Sequence, residues 1–293
     1  MTGRLLRWYR RYGRDLPWRK TKDPYRILVS EIMLQQTQVQ RGLLYYEKWL
    51  EEFPNWEALA RASNAQVITA WAGLGYNRRA LVLRDVARHI VENGEPTARA
   101  DWLQLKGIGP YTSAALAVFT TGEKVLPIDT NIRRVLGRYF LGRLFPNLKD
   151  DDKIEAHASK VLFKSTKYPD IPQALFDLAT TYCGKMPDCA KCPLRTDCKS
   201  SEQFLAGKAE PPKRTIKKAN EKIRLGKKYP DRIFRGRILK AVRENGKLSL
   251  TELGPLIDPG YTSKDDNWVQ DMVRRMTKDG MLELTKNQLH LPH

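Results

Sequence analysis

Four cysteines, spaced Cys183-x5-Cys189-x2-Cys192-x5-Cys198, are all the cysteine this chain contains. Thiolates gathered in this way suit zinc or an iron–sulfur cluster, and the spacing alone leaves both open. They lie too close together for the disulfide framework of a secreted domain. A second group of capable residues begins at Lys106-Gly107-Ile108-Gly109-Pro110. Two glycines around one apolar residue let the backbone turn sharply, and a proline suits the first turn of a following helix. The turn joins two helical segments, and its amides, with the next helix N-terminus, form a cradle for phosphate. Twenty residues beyond Gly109, Asp129 stands between the apolar run Val125 to Ile128 and a basic helix starting near Asn131. Taken alone, that position is an ordinary helix N-cap.

The elements that must hold these residues read as helices. Leu5, Leu6, Trp8, Tyr9 and Tyr12 recur at helical spacing before a break at Leu16-Pro17. A single long helix is predicted over 27–50, with a polar interruption of its apolar pattern at Gln35-Gln36-Thr37-Gln38. Those side chains are equipped to hydrogen-bond base edges, or they form a solvated face. Short helices are expected at 55–62 and 64–71, then the loop Gly73-Leu74-Gly75-Tyr76, then a helix with Arg78, Arg79 and Arg84 that Gly94 ends. An apolar side chain on such a loop either wedges into a stack of bases or plugs the protein's own core. Further helices are predicted at 111–121, 131–143, 156–163 and 173–182, and no strand before residue 247.

The stretch 199–231 changes texture. It is polar, rich in lysine and arginine, carries Pro211-Pro212 and reads as a basic linker. Order then returns, with a helix at 233–243, a capping box from Ser249 to Glu252, an apolar stripe of Trp268, Val269, Met272, Val273 and Met276, and a terminal hairpin. Three helices and a two-stranded wing make a small winged-helix-like α+β domain. With 293 residues, 41% of them hydrophobic, the chain can bury one large or two modest cores. Its net charge of +19 points to a polyanionic partner, most simply nucleic acid. No apolar run is long enough for a signal peptide or a membrane span, so an intracellular, cytoplasmic protein without a membrane partner is expected.

The hairpin and aspartate at this spacing resemble the helix–hairpin–helix DNA glycosylase superfamily, and the nearest branch is the MutY-like adenine DNA glycosylases. The resemblance runs from about Trp8 to Cys198. It is carried by LPWR (16–19), DPYRILVSEIMLQQTQV (23–39), GLGY (73–76), KGIG (106–109) and PIDTN (127–131), in that order. It implies a mostly α fold of two helical subdomains with a cleft between them. With the linker and tail read above, where the chain departs from the family, the expected organisation is a catalytic domain over 1–198 including the cysteine loop 183–198, the linker 199–231, and the winged-helix-like domain 232–293.

By the same resemblance, Glu31 is the general acid that protonates a departing adenine. Asp129 stabilises the oxocarbenium-like sugar or links to it transiently, and Asn131 orients Asp129. Tyr111 occupies the place where strand-cutting relatives carry a lysine, which implies a monofunctional enzyme leaving an abasic site. Trp18, Arg19, Gln35, Gln36 and Thr37 line the base pocket or touch the orphaned partner base. Leu74 and Tyr76 belong to the wedge loop, and Lys106, Gly107 and Gly109 contact phosphate. Cys183, Cys189, Cys192 and Cys198 would hold a [4Fe–4S] cluster, with zinc as the alternative. The family loop usually has six residues in its first interval, where this chain has five. The family more often has glycine where this chain has Thr130. The implied partner of a monomeric enzyme is double-stranded DNA with adenine opposite 8-oxoguanine or guanine. Thymine or uracil excision from G·T and G·U mismatches is the alternative activity, and a non-catalytic DNA-binding relative the alternative class. The lesion-checking domain that usually follows, with its Phe-Ser-His loop, has no counterpart in this tail.

Overall fold

The computed structural model describes residues 1–211, 223, 224 and 226–293. In chain order the helices are α1 (Thr2–Tyr12), α2 (Pro24–Leu34), α3 (Val39–Glu52), α4 (Trp56–Arg61), α5 (Asn64–Ala70), α6 (Arg78–Asn93), α7 (Arg99–Gln104) and α8 (Pro110–Thr121). There follow α9 (Thr130–Leu141), α10 (Asp151–Leu162), α11 (Asp170–Thr181), α12 (Ser201–Leu205) and α13 (Asp231–Asn245). The last part adds β1 (Leu248–Ser249), α14 (Leu250–Ile257), α15 (Asp266–Lys278), β2 (Glu283–Thr285) and β3 (Gln288–His290). Among the described residues no strand precedes β1, and no helix is long and apolar enough to cross a membrane.

The chain forms two compact units, residues 1–31 with 96–215 and residues 32–95 with 216–293. In the first, α8 is deeply embedded, with Thr112 to Val118 all buried. Its alanines at 114, 115 and 117 leave little bulk between its backbone and its neighbours. The core around it comes from Leu5, Leu6 and Trp8 of α1, Ile132, Val135 and Leu136 of α9, Ile154, Ala158 and Leu162 of α10, and Ile171, Leu175 and Leu178 of α11. Tyr168 closes this core, its buried hydroxyl donating to the Val125 carbonyl at 2.6 Å. That bond satisfies a polar atom that would be costly to bury alone.

In the second unit, Trp49 and Trp71 pack edge to face at 5.2 Å. Ser63 and Gln66 cap α5 reciprocally. The terminal helices bury the expected stripe of Trp268, Val269, Met272, Val273 and Met276. The Ser249–Glu252 capping box is formed. The sheet order is β1-β3-β2, all antiparallel, with Leu284 opposite Leu289. Lys286 and Asn287 take positive φ at the hairpin tip, as a two-residue turn of matching twist requires. This tail packs on α5 and α6. Asn64 Nδ2 donates to Gly280 O at 2.6 Å, the Ala65 amide to Pro292 O at 2.8 Å, and Arg78 pairs with Asp279 at 3.6 Å.

Three local expectations need correcting. The single helix predicted over 27–50 is two helices, α2 and α3, because Gln36 adopts a left-handed φ of +58° and Gln38 is extended. The helix expected from 156 begins at Asp151. Asn147 caps the preceding 3-10 turn through the Lys149 amide, and Asp151 and Asp152 favour a first helical turn. Within the stretch read as linker, Ser201–Leu205 is a short helix, while residues 212–222 and 225 lie outside the described residues.

Candidate active site

The hairpin forms as its sequence dictates. α7 ends at Gln104, Gly107 takes φ +94°, buried Ile108 anchors the turn, and Pro110 opens α8 after Gly109. Only a residue without a side chain adopts that φ readily. Lys106 and Gly107 are exposed. Beyond α8, Asp129 caps α9, so the ordinary reading of this residue is realised in full. Its Oδ1 accepts from the Asn131 amide at 2.8 Å and the Ile132 amide at 2.7 Å, and its Oδ2 from Asn131 Nδ2 at 2.7 Å. Burial pushes the Asp129 carboxyl above its usual range, opposed by the Ile132 amide, the Asn131 side chain and the Asn131 amide. All three of these partners are donors, the surroundings of an ionised carboxylate.

Glu31 sits near the end of α2, partly buried. Burial raises its pKa to about 7. A hydrogen bond from the Tyr111 hydroxyl works against that rise, the charge of Asp129 adds to it, and Arg19 reduces it. Burial and the two carboxylates hold the Tyr111 phenol neutral, well above its ordinary range. Its ring meets Phe176 edge-on at 6.5 Å. Glu31, Tyr111, Asp129 and Asn131 therefore form one group. It contains two carboxyls, one poised to be protonated at neutral pH and one set among donors, which is the arrangement acid-assisted cleavage of a glycosidic bond needs.

Behind this group lies a residue that the sequence reading missed. Asp177, on α11, is 1% exposed. It accepts from Arg19 Nη1 and Nη2, each at 2.8 Å, and from the Arg14 amide and Nε at 2.8 and 2.6 Å. Arg19 is accordingly buried, its guanidinium committed to Asp177 and to the Arg14 carbonyl at 3.1 Å. Trp18, beside it, is 7% exposed. The sequence did carry a signal: Asp177 interrupts the buried face formed by Ala174, Leu175 and Leu178.

In the unit formed by 32–95 and the tail, Gln35 and Gln36 are exposed and Thr37 partly so. The glycine loop divides the two readings it allowed. Leu74 is 8% exposed and plugs the core, whereas Tyr76, at φ +49°, is 51% exposed.

The four cysteines belong to the same unit as Glu31 and Asp129. Their side chains line one small cavity with Arg138, Tyr182, Arg195 and Phe204. Arg138, 2% exposed, threads the loop. It donates to Cys183 Sγ at 3.3 Å, to Gly184 O at 2.7 Å and to Lys185 O at 2.8 Å. Arg134 Nε reaches the Cys183 carbonyl at 2.6 Å. Burial, with the neighbouring thiols, pushes Cys189 and Cys192 up to about 11. Four cysteine side chains around one cavity are a soft donor set, and a bound cationic centre would favour their deprotonation. Among the described residues, no three His, Cys, Asp or Glu side chains gather in the geometry of a single-ion site.

Residues 29–163, which span Glu31, the hairpin and Asp129, match the HhH-GPD superfamily of base excision DNA repair proteins. An adenine DNA glycosylase of Mycobacterium tuberculosis is 36% identical over 246 residues, covering 82% of this chain and 77% of that one. The chain belongs to the adenine DNA glycosylase family. The human adenine DNA glycosylase is 35% identical over 222 residues, 70% of this chain and 41% of the human protein. Among solved structures, a thermostable thymine-DNA glycosylase superposes with a TM-score of 0.63 at 29% identity, over 69% of this chain and 94% of that one. A trapped endonuclease III–DNA covalent intermediate superposes at 0.58, covering 69% and 94% of the two chains; at 16% identity it shares the fold. This DNA glycosylase thus has the family's motifs on the family's fold.

Proposed function

We propose that this enzyme excises adenine mispaired with 8-oxoguanine or guanine in duplex DNA, by hydrolysis, and leaves an abasic site. The observation that carries the proposal is the placing of Glu31, with a pKa of about 7 and a hydrogen bond from Tyr111, beside an Asp129 surrounded by donors. With adenine turned out of the stack, the Glu31 carboxylic acid gives its proton to a ring nitrogen of the base as the N-glycosidic bond breaks. The Asp129 carboxylate balances the positive charge developing on the sugar, directly or through a transient covalent link. Glu31, now a carboxylate, takes a proton from the water that adds to the anomeric carbon. Adenine leaves neutral and the acid is regenerated. Asn131 holds Asp129. Tyr111 offers no amine for Schiff-base formation, so strand cleavage does not follow.

Trp18, Gln35, Gln36, Thr37 and Tyr76 serve the flipped base and its orphaned partner, Leu74 anchors the wedge loop from within the core rather than touching DNA, and Arg19 acts from behind as a fixed charge near Glu31. Lys106 and the amides at Gly107 and Gly109 hold phosphate. The net charge of +19 makes binding strongly salt-dependent. Cys183, Cys189, Cys192 and Cys198 hold a [4Fe–4S] cluster, which stabilises the loop when bound. Iron analysis and visible absorbance of anaerobically purified protein distinguish it from zinc.

The likeness to a thymine-DNA glycosylase structure supports a second reading, release of thymine or uracil opposite guanine. Adenine is favoured by the higher identity of the adenine-specific relatives and by Gln35-Gln36, since glutamine side chains pair well with adenine edges. Excision on matched duplexes, A·8-oxoG, A·G, T·G and U·G, with and without alkali, decides between them. Adenine release with breaks only after alkali supports the proposal. Release of T or U alone replaces it, and binding without release from any duplex leaves a non-catalytic relative.

A further inference from the structure

The break between α2 and α3 is unusual in how it is held. The last carbonyls of a helix have no amide partners of their own, and a glycine commonly closes such an end. Here no glycine follows Leu34. The Thr37 amide reaches Leu34 O at 3.3 Å, and the Ile32 and Met33 carbonyls are served from another helix. Arg79, near the start of α6, donates through Nη1 to Ile32 O at 2.9 Å, to Met33 O at 3.1 Å and to the Gln35 carbonyl. Its cation thus lies at the negative end of the α2 dipole. Through Nη2 the same guanidinium donates to Gly75 O at 3.0 Å and reaches Thr37 Oγ1 at 3.4 Å. It also lies over the rings of Trp71 and Tyr76, 5.2 and 5.6 Å from their centroids.

One side chain therefore joins two loops, and each contains a non-glycine residue at left-handed φ: Gln36 at +58° and Tyr76 at +49°. Such backbone is unfavourable unless its surroundings impose it. Other hydrogen bonds act within one loop or the other: the Thr37 amide to Leu34 O in the first, and in the glycine loop Trp71 Nε1 to Gly75 O at 3.1 Å and Arg41 to Gly73 O. Arg78, the preceding residue, is 61% exposed and pairs with Asp279, so the arrangement is particular to Arg79 rather than general to the basic start of α6.

We propose that Arg79 is a positioning residue that sets the Gln35–Thr37 segment and the Gly75–Tyr76 segment as one rigid pair, so that partner-base contact and wedging occur together. This rests on the reading of those two segments as DNA-facing. A planar fork can meet carbonyls on both loops and lie on two rings at once; a lysine ammonium supplies the charge without that geometry.

The test uses full-length Arg79→Lys and Arg79→Gln, the first keeping charge and fold if the second fails to fold. Amide hydrogen exchange, without DNA, is followed in peptides covering 32–40 and 71–80, and single-turnover adenine release is measured on an A·8-oxoG duplex at saturating enzyme. Both peptides are expected to exchange about tenfold faster in both variants, with α8 and α9 unchanged. Adenine release is expected to slow about tenfold or more, with duplex affinity changed less than threefold. Three results overturn the proposal: wild-type exchange and rate in Arg79→Lys, faster exchange in only one segment, or loosened loops with an unchanged rate. If the wild-type protein releases no base at all, the glycosylase reading falls instead, and the exchange arm still decides whether Arg79 joins the loops.

Discussion

Two aspartates of one unit, Asp177 fully buried and Asp129 partly so, are tuned in opposite directions. Asp177, in the middle of α11, is pulled below its usual range despite burial because Arg19 and Arg14 bind it. Asp129, at the head of α9, is pushed up because the amides and amide side chain around it do not fully offset burial. An ion pair of the first kind fixes neighbouring segments to each other. A carboxylate of the second kind is held by amide donors, which leave it for a positive partner that the proposed reaction brings, a developing sugar cation. The difference fits the roles proposed for them, a structural anion at Asp177 and a reacting one at Asp129.

The largest effect expected from breaking this contrast is at Asp129. Asp129→Asn should lower single-turnover excision about 10³-fold while duplex affinity stays within a few-fold, because charge is lost and shape kept. A large loss of binding with retained turnover would contradict the assignment. Asp177→Asn should do the reverse. It strands Arg19 in the interior and should cost on the order of 3 kcal/mol of stability, with half-exposed Arg14 contributing least. Thermal and urea unfolding measure it. Since Asp177's pKa is depressed, its contribution is present at neutral pH and disappears as pH falls through the folded value, so the gap between wild type and variant should close in acid.

Glu31 sharpens the contrast with the opposite sign. Its folded pKa is raised, so the native state keeps a proton that the unfolded chain has already lost, and stability falls as pH climbs from about 4.5 to about 7. Glu31→Gln should therefore be more stable than wild type at pH 8 and equal to it near pH 4, while excision drops about 10²- to 10⁴-fold. Tyr111→Phe removes a hydrogen bond that favours the ionised form, so the alkaline limb of the excision profile should move to higher pH. The smallest effect is expected at Lys106→Ala, a few-fold weaker binding whose logarithmic salt slope is shallower by about one.

Much of the fold was legible because it rests on local chemistry: the apolar stripe of α15, the Ser249–Glu252 box, and the glycine and proline of the hairpin all specify their own neighbourhoods. The candidate site was legible through motif order, which drew attention to Glu31 and Asp129 as the residues proposed to react. Three features were not. The α2–α3 break follows from Gln36 in a left-handed conformation, which no propensity of glutamine announces and which Arg79 holds from 43 residues away in sequence. The engagement of Arg19 by Asp177 and the threading of the cysteine loop by Arg138 depend on which helices meet in the core. Arginines in a strongly basic chain look alike until the structure shows whose carbonyls and carboxylates they meet.

In the proposed reaction a protonated Glu31 and an ionised Asp129 act together on adenine. The most direct measurement is the pH dependence of single-turnover adenine release from an A·8-oxoG duplex between pH 5.5 and 9. A rate that falls about tenfold per pH unit above roughly pH 7, with this limb abolished in Glu31→Gln, is expected. A rate independent of pH across that range, or a wild-type limb that persists in Glu31→Gln, would contradict it.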